Sequence, residues 1–157
     1  MDGKLLHFVT SIEEVLPHMR NMPRQKIDPI AGLAAPQLGI FKRIIIFEAP
    51  EHRRDGGEVV PLTIAINPRL TWTSKEQVRR WEGCLSFPDL AVEVNRPKQI
   101  HYTYFTPDGE EIARKATGFH AKVVQHEIDH LDGILSIHRM DDPTRLGYLS
   151  EIQTYYL

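Results

Sequence analysis

The chain has 157 residues, 41% hydrophobic and 25% charged, with a formal net charge of −2 at pH 7. That length suits one domain, 1–157, with a core of ordinary size, and the balanced charge gives no reason to expect nucleic acid as a partner. No apolar run approaches a membrane span, Met1-Asp2-Gly3-Lys4 has neither secretory nor transit character, and a lone cysteine cannot close an intrachain disulfide, so the expectation is no membrane and a reducing compartment, the cytoplasm.

Thr10 to Met22 reads as a helix, since Thr10 with Glu13, or Ser11 with Glu14, offers a capping box and Val15 and Met19 share a face. Pro17 kinks or shortens it, Pro23 closes it, and Arg24 to Pro29 follows as a loop. The stretch Ile30 to Ile40 is built of small residues around a single amide, Gln37. Small side chains allow close approach of another backbone or a ligand, although taken alone the stretch reads as a tight core turn. Arg43–Phe47 and Leu62–Ile66 read as short β-branched strands separated by a loop from Glu48 to Val60. The polar segment Lys75–Arg80 is expected to have strands on either side. From Leu90 the pattern is again β: Ala91–Val94, then His101–Phe105, a turn at Thr106-Pro107-Asp108-Gly109 and a return strand through Ile112, which together make a hairpin.

Thr117-Gly118 then offers an N-cap, and a helix runs from there to Gly133, a good residue just past a helix end. At about 100° per residue, Phe119, Val123, His126 and His130 share one face, with Val124, Ile128 and Leu131 continuing the non-polar surface. Lys122, Gln125, Asp129 and Asp132 form a narrow polar stripe. A helix apolar over most of its circumference is buried, so the fold class is α+β, with antiparallel strands wrapped around this central helix. Asp141-Asp142-Pro143-Thr144 could open a short terminal helix ending in Tyr155-Tyr156-Leu157.

The central helix also carries the chemistry. Gln125-His126-Glu127-Ile128-Asp129-His130 is an HExxH motif. His126 and His130, four apart, lie one above the other and can bind one ion, while Glu127 faces water bound to it. A catalytic site of this kind wants a third protein ligand and an open position. Where the extended metalloprotease pattern has its third histidine this chain has Ser136, and His138 comes two residues too late. Cys84, in Glu82-Gly83-Cys84-Leu85-Ser86, can supply a thiolate instead. Separately these pieces have plain readings, a chance motif on an ordinary helix and a small buried hydrophobe; their combination argues for a metal centre.

Three stretches, Ala31–Gln37, Glu82–Ser86 and Gln125–Gly133, occur in the order of the GxGLAAxQ, EGCLS and QHExDHLxG motifs of peptide deformylase, and over roughly residues 26 to 140 the chain resembles that family. It departs from the pattern at Ile30, where the family usually has its first glycine. The resemblance implies hydrolysis of the N-terminal formyl group from formylmethionyl nascent peptides by a monomeric, single-domain cytoplasmic enzyme working near the ribosome. It implies one divalent ion on Cys84, His126 and His130, ferrous iron being favoured, with zinc, nickel and cobalt also suited to a thiolate and two imidazoles. Glu127 is then the proton carrier, and the Gln37 amide and the Leu85 backbone N–H are donors to the developing oxyanion. An extended peptide would pair with backbone near Gly32, and its methionine would enter a pocket lined by Phe119 and Val123, with Glu82 and Ala31 completing the wall and Lys122 lending its stem. Metal-bound histidines usually donate their second N–H to a carboxylate or carbonyl; Asp129 or Glu82 could serve, with Arg96 as counter-charge. The alternatives are an HExxH metallopeptidase, which would leave Gln37 and its small neighbours unexplained, a cysteine hydrolase, which would leave Glu127 and His130 idle, and a binding module with a structural metal, which would have a fourth protein ligand.

Overall fold

The structure, a computed structural model, describes residues 31–51 and 58–156; the expected helix Thr10–Met22, the loop Arg24–Pro29 and Ile30 lie outside them. Among the described residues eight strands form two antiparallel sheets: β1 (Gly32–Ala34), β2 (Ile44–Ala49), β3 (Val60–Thr73), β6 (Gln99–Phe105) and β7 (Glu111–Thr117) in one, and β4 (Gln77–Cys84), β5 (Phe87–Pro97) and β8 (Leu146–Tyr148) in the other. The helix α1 (Gly118–Leu131) packs on the first sheet and bonds to β4 and β5 of the second through Lys122, Gln125 and His126, so the α+β expectation of strands around a central helix holds.

The sequence of β2 explains its place in the sheet. Ile44, Ile45 and Ile46 are all fully buried because β2 is covered on both faces: Ile45 and Phe47 join the core under α1, and Ile44 and Ile46 join a second cluster with Leu33, Ala35 and Ile66. β6 instead alternates, sending Ile100, Tyr102 and Tyr104 inward. The strand expected at Leu62–Ile66 runs on to Thr73. Asn-Pro is a turn-type dipeptide, but at Asn67-Pro68 the chain passes through on a bulge, with Asn67 at φ +50° and the pairing with β6 shifting between Ile66 and Arg69.

Two further expectations are corrected. Gln77–Arg80, expected to lie between strands, is itself the first half of β4: it pairs residue by residue with Val94–Pro97, and Arg79 meets Asp141 across the outer surface. The terminal helix begins only at Leu149, as α2 (Leu149–Tyr155). Pro143–Arg145 makes one 3-10 turn, opened by a bond from Thr144 N–H to the Asp142 carboxylate, and the backbone of Leu146–Tyr148 is then taken up by β5. Among the described residues no helix is long and apolar enough to cross a membrane.

α1 ends as the sequence suggests. Gly133, at φ +72°, donates its N–H to the carbonyl of His130, and Ile134 donates to that of Asp129, the paired bonds of a Schellman motif. Thr117 is in extended N-cap geometry, but its side chain makes no capping bond. The expected polar stripe does not face water along its length. Gln125 is buried and donates to the carbonyls of Pro97 and Ala121, and Asp129 is buried between two arginines.

Candidate metal centre

Residues two apart on a strand project from the same face, so Glu82 and Cys84 both leave β4 toward α1. The Cys84 sulfur lies 3.3 Å from Nε2 of His130, which lies 3.2 Å from Nε2 of His126. The ligand atoms of these three residues all fall within 4.8 Å of one another. Nδ1 of His126 lies 2.8 Å from Glu82 Oε2, which makes Nδ1 the protonated nitrogen and leaves Nε2 to face the sulfur. Glu82 is in turn held by Arg96, whose Nε and Nη2 donate to Oε1 and Oε2 at 2.6 and 2.9 Å, while Nη1 donates to Asp129 at 2.8 Å.

The electrostatics favour a cation among these atoms. Burial pushes the Cys84 thiol up, but hydrogen bonds from His126 and His130 outweigh it and hold it at about 5. Burial also opposes charge on His126; its bonds to Cys84 and Glu82 nevertheless raise it to about 10. Burial acts on Glu82 in the same sense, yet His126 and Arg96 keep it ionised well below the usual carboxylate range. A thiolate and two imidazoles that together stabilise one positive charge suit a divalent transition metal.

Glu127 leaves the helix beside the ligands. Burial raises its carboxyl to about 7 against the opposing pull of His126 and His130. Its Oε2 is buried and has no hydrogen-bond partner among the described residues. Gln37 sits on a 3-10 turn (Ala35–Leu38), where Oε1 accepts from Ala34 N–H at 2.8 Å. That bond turns Nε2 toward Ser86 Oγ, 3.2 Å away, and the Cys84 sulfur at 4.0 Å. Ser86 had no role assigned from sequence; its N–H also points at the sulfur, at 3.4 Å, within the tight turn that holds Leu85 between β4 and β5. Three motifs far apart in the chain thus meet within one site.

The residues expected to line a pocket are placed less uniformly. Val123 is 5% exposed and sits in the core beside Phe47 and Val124. Phe119 and Ala31 are half-buried against the same cluster, and the Lys122 ammonium lies over the Phe119 ring at 5.5 Å while donating to the Trp81 carbonyl. Glu82 is 1% exposed with both oxygens engaged by His126 and Arg96, so it presents no face to a substrate and acts on the ligand instead.

Comparison with known proteins covers nearly the whole chain. The polypeptide deformylase family model matches residues 5–146. Peptide deformylase 1 of Bordetella pertussis is 40% identical over 154 residues, covering 94% of this chain and 88% of that protein. Peptide deformylase 2 of Pseudomonas putida is 50% identical over 119 residues, 74% of this chain and 66% of its own length, so the chain spans about two thirds of that relative. The crystal structure of peptide deformylase from Thermotoga maritima superposes with a TM-score of 0.72 at 32% identity, covering 87% of this chain and 82% of that one. A match of this extent, over a structure that gathers all three motifs, leaves one conclusion: the chain belongs to the polypeptide deformylase family.

Proposed function

We propose that this chain is a metal-dependent amidase that removes the formyl group from the methionyl N-terminus of new polypeptides, with Cys84, His126 and His130 as the protein ligands of one divalent ion. When bound, such an ion supplies Lewis acidity and makes water a nucleophile at neutral pH. The observation that carries the reading is Glu127: a carboxyl buried beside the two histidines, raised to about 7, with one oxygen that has no hydrogen-bond partner among the described residues. A group of that pKa can take a proton from the attacking water as the new C–O bond forms, then return it to the peptide nitrogen as the C–N bond breaks and formate departs.

The other residues hold the reactants. The Gln37 amide, fixed by Ala34 N–H and turned toward Cys84, is placed to donate to the formyl oxygen as it gains charge, with the Leu85 N–H as a second donor. Among the described residues β1 is a terminal strand of its sheet, and its outer edge at Gly32 offers main-chain pairing to an extended peptide. That mode reads backbone, as suits an enzyme that accepts many sequences after the first methionine. Phe119, Val123 and Ala31 form the apolar wall for the methionine side chain. A related peptide deformylase from Acinetobacter baumannii, 39% identical with a TM-score of 0.64, is described with Met-Ala-Ser bound, a peptide with the N-terminus this reaction releases.

The thiolate with two imidazoles supports ferrous iron, and accepts zinc, nickel or cobalt. The reading places the enzyme in the cytoplasm as a single-domain monomer near the ribosome, where formylated chains emerge. A chelator should abolish hydrolysis of a formyl-Met peptide, and ferrous or nickel ion should restore it. Activity that survives complete metal removal would end the proposal. Formyl-norleucine should replace formyl-methionine well and formyl-glycine poorly, since each methylene in an apolar pocket is worth roughly 1–3 kcal/mol.

A further inference from the structure

The support of His126 does not stop at Glu82. From His126 Nδ1 the contacts run to Glu82 (2.8 Å), from Glu82 to Arg96 (2.6 and 2.9 Å), and from Arg96 to Asp129 (2.8 Å). Asp129 then takes a second arginine: Arg139 Nη2 donates to Oδ1 at 2.6 Å and Nε to Oδ2 at 3.1 Å. Glu82, Arg96 and Asp129 are 1%, 6% and 6% exposed, whereas the Arg139 side chain, at the end of a 3-10 turn (Ser136–Arg139), is 47% exposed.

Two carboxylates and one guanidinium leave the buried trio one negative charge in excess; His126 faces it at the Glu82 end and Arg139 at the Asp129 end. The planar fork of Arg139 engages both oxygens of Asp129, so Arg96 needs to give Asp129 only a single bond and can keep its own fork on Glu82. Among the described residues, Arg139 is the donor to Oδ1 of Asp129, so its removal leaves that acceptor without a donor from them. The nearest remedy is for Arg96 to turn toward Asp129, at the expense of one arm on Glu82.

We infer that Arg139 is a positioning residue for the metal site, acting through Asp129, Arg96 and Glu82 on the orientation of His126. This rests on the ligand set proposed above, and its readout is the lifetime of the bound metal. The protein is loaded with nickel, and release to excess chromogenic chelator is followed. Arg139→Ala should release nickel roughly tenfold faster than the unaltered chain, at the low end of what outer partners of metal ligands contribute. Arg139→Lys should behave like Arg139→Ala, because an ammonium cannot span both oxygens; it carries the test if Arg139→Ala fails to fold. In an Asp129→Asn background, Arg139→Ala should add nothing, a coupling that a merely structural role would not produce. Release at the unaltered rate in both Arg139 variants, or an equal effect of Arg139→Ala with and without Asp129→Asn, overturns the inference. An unaltered chain that retains no nickel overturns the ligand assignment, and this inference with it.

Discussion

The carboxylate of Glu127 occupies the space where a side chain on Gly32 would begin. A Cβ built on Gly32 would lie 2.7 Å from Glu127 Cγ and 2.8 Å from Cδ, distances that real Cβ atoms do not show. The glycine of the first motif is therefore there for the glutamate of the third. It lets β1 run directly against the side chain proposed to carry the proton.

Gly32→Ala should consequently displace Glu127 while leaving the ligands alone. The expected result is a fall in kcat of about 10²-fold, the scale of a misplacement near 1 Å, with metal content unchanged. Steady-state kinetics and metal analysis on one preparation decide it; loss of metal in parallel would show that the strain reaches His126 instead.

Glu127→Gln keeps the shape and removes the base. It should retain a full equivalent of metal and lose roughly 10²–10⁴-fold in kcat. Near-normal turnover in that variant would rule out the proton path.

Cys84→Ala removes the thiolate from the proposed ligand set and leaves its two imidazoles. Tight metal binding should be lost, and with it the rise in thermal midpoint that a ligand confined to the folded state provides. A variant that still holds one equivalent through dialysis would mean that the third ligand lies elsewhere.

Away from the candidate metal site, His120 is 1% exposed, stacked on Phe47, with Nε2 2.8 Å from the Tyr102 hydroxyl and Nδ1 3.2 Å from Glu58, which Arg114 also pairs. Burial lowers its pKa to about 4, with Arg114 adding to the effect and Glu58 opposing it. The unfolded chain takes up that proton near pH 6.5, so between about 6.5 and 4 the unfolded state binds more protons than the folded one. Stability from this group is complete above pH 6.5 and is lost as the pH falls toward 4. Urea midpoints measured across that window should fall more steeply for the unaltered chain than for His120→Gln, which does not titrate; parallel curves would remove His120 from the acid response.

Much of the site was legible from local periodicity. The helical period put His126 and His130 on one face of α1 with Glu127 beside them, because spacing along a regular backbone sets which side chains project together. The β-branched run of β2, the β6–β7 hairpin and the glycine that ends α1 follow from the same local rules. Local rules do not say what lies opposite a face. That β4 packs against α1, so that Cys84 completes the histidine pair and Glu82 reaches His126, is a matter of long-range packing. The same packing buries Gln125 and Asp129, whose polarity suggested a solvated stripe, because Pro97, Arg96 and Arg139 supply their partners from other elements. It also carries β3 through Asn67-Pro68, where pairing with β6 outweighs a turn signal. The sequence by itself determined the reactive residues and the elements that present them. Which residues stand behind them, Gly32 against Glu127 and Arg139 against Asp129, only the tertiary structure decided, since those contacts join positions that no period along the chain relates.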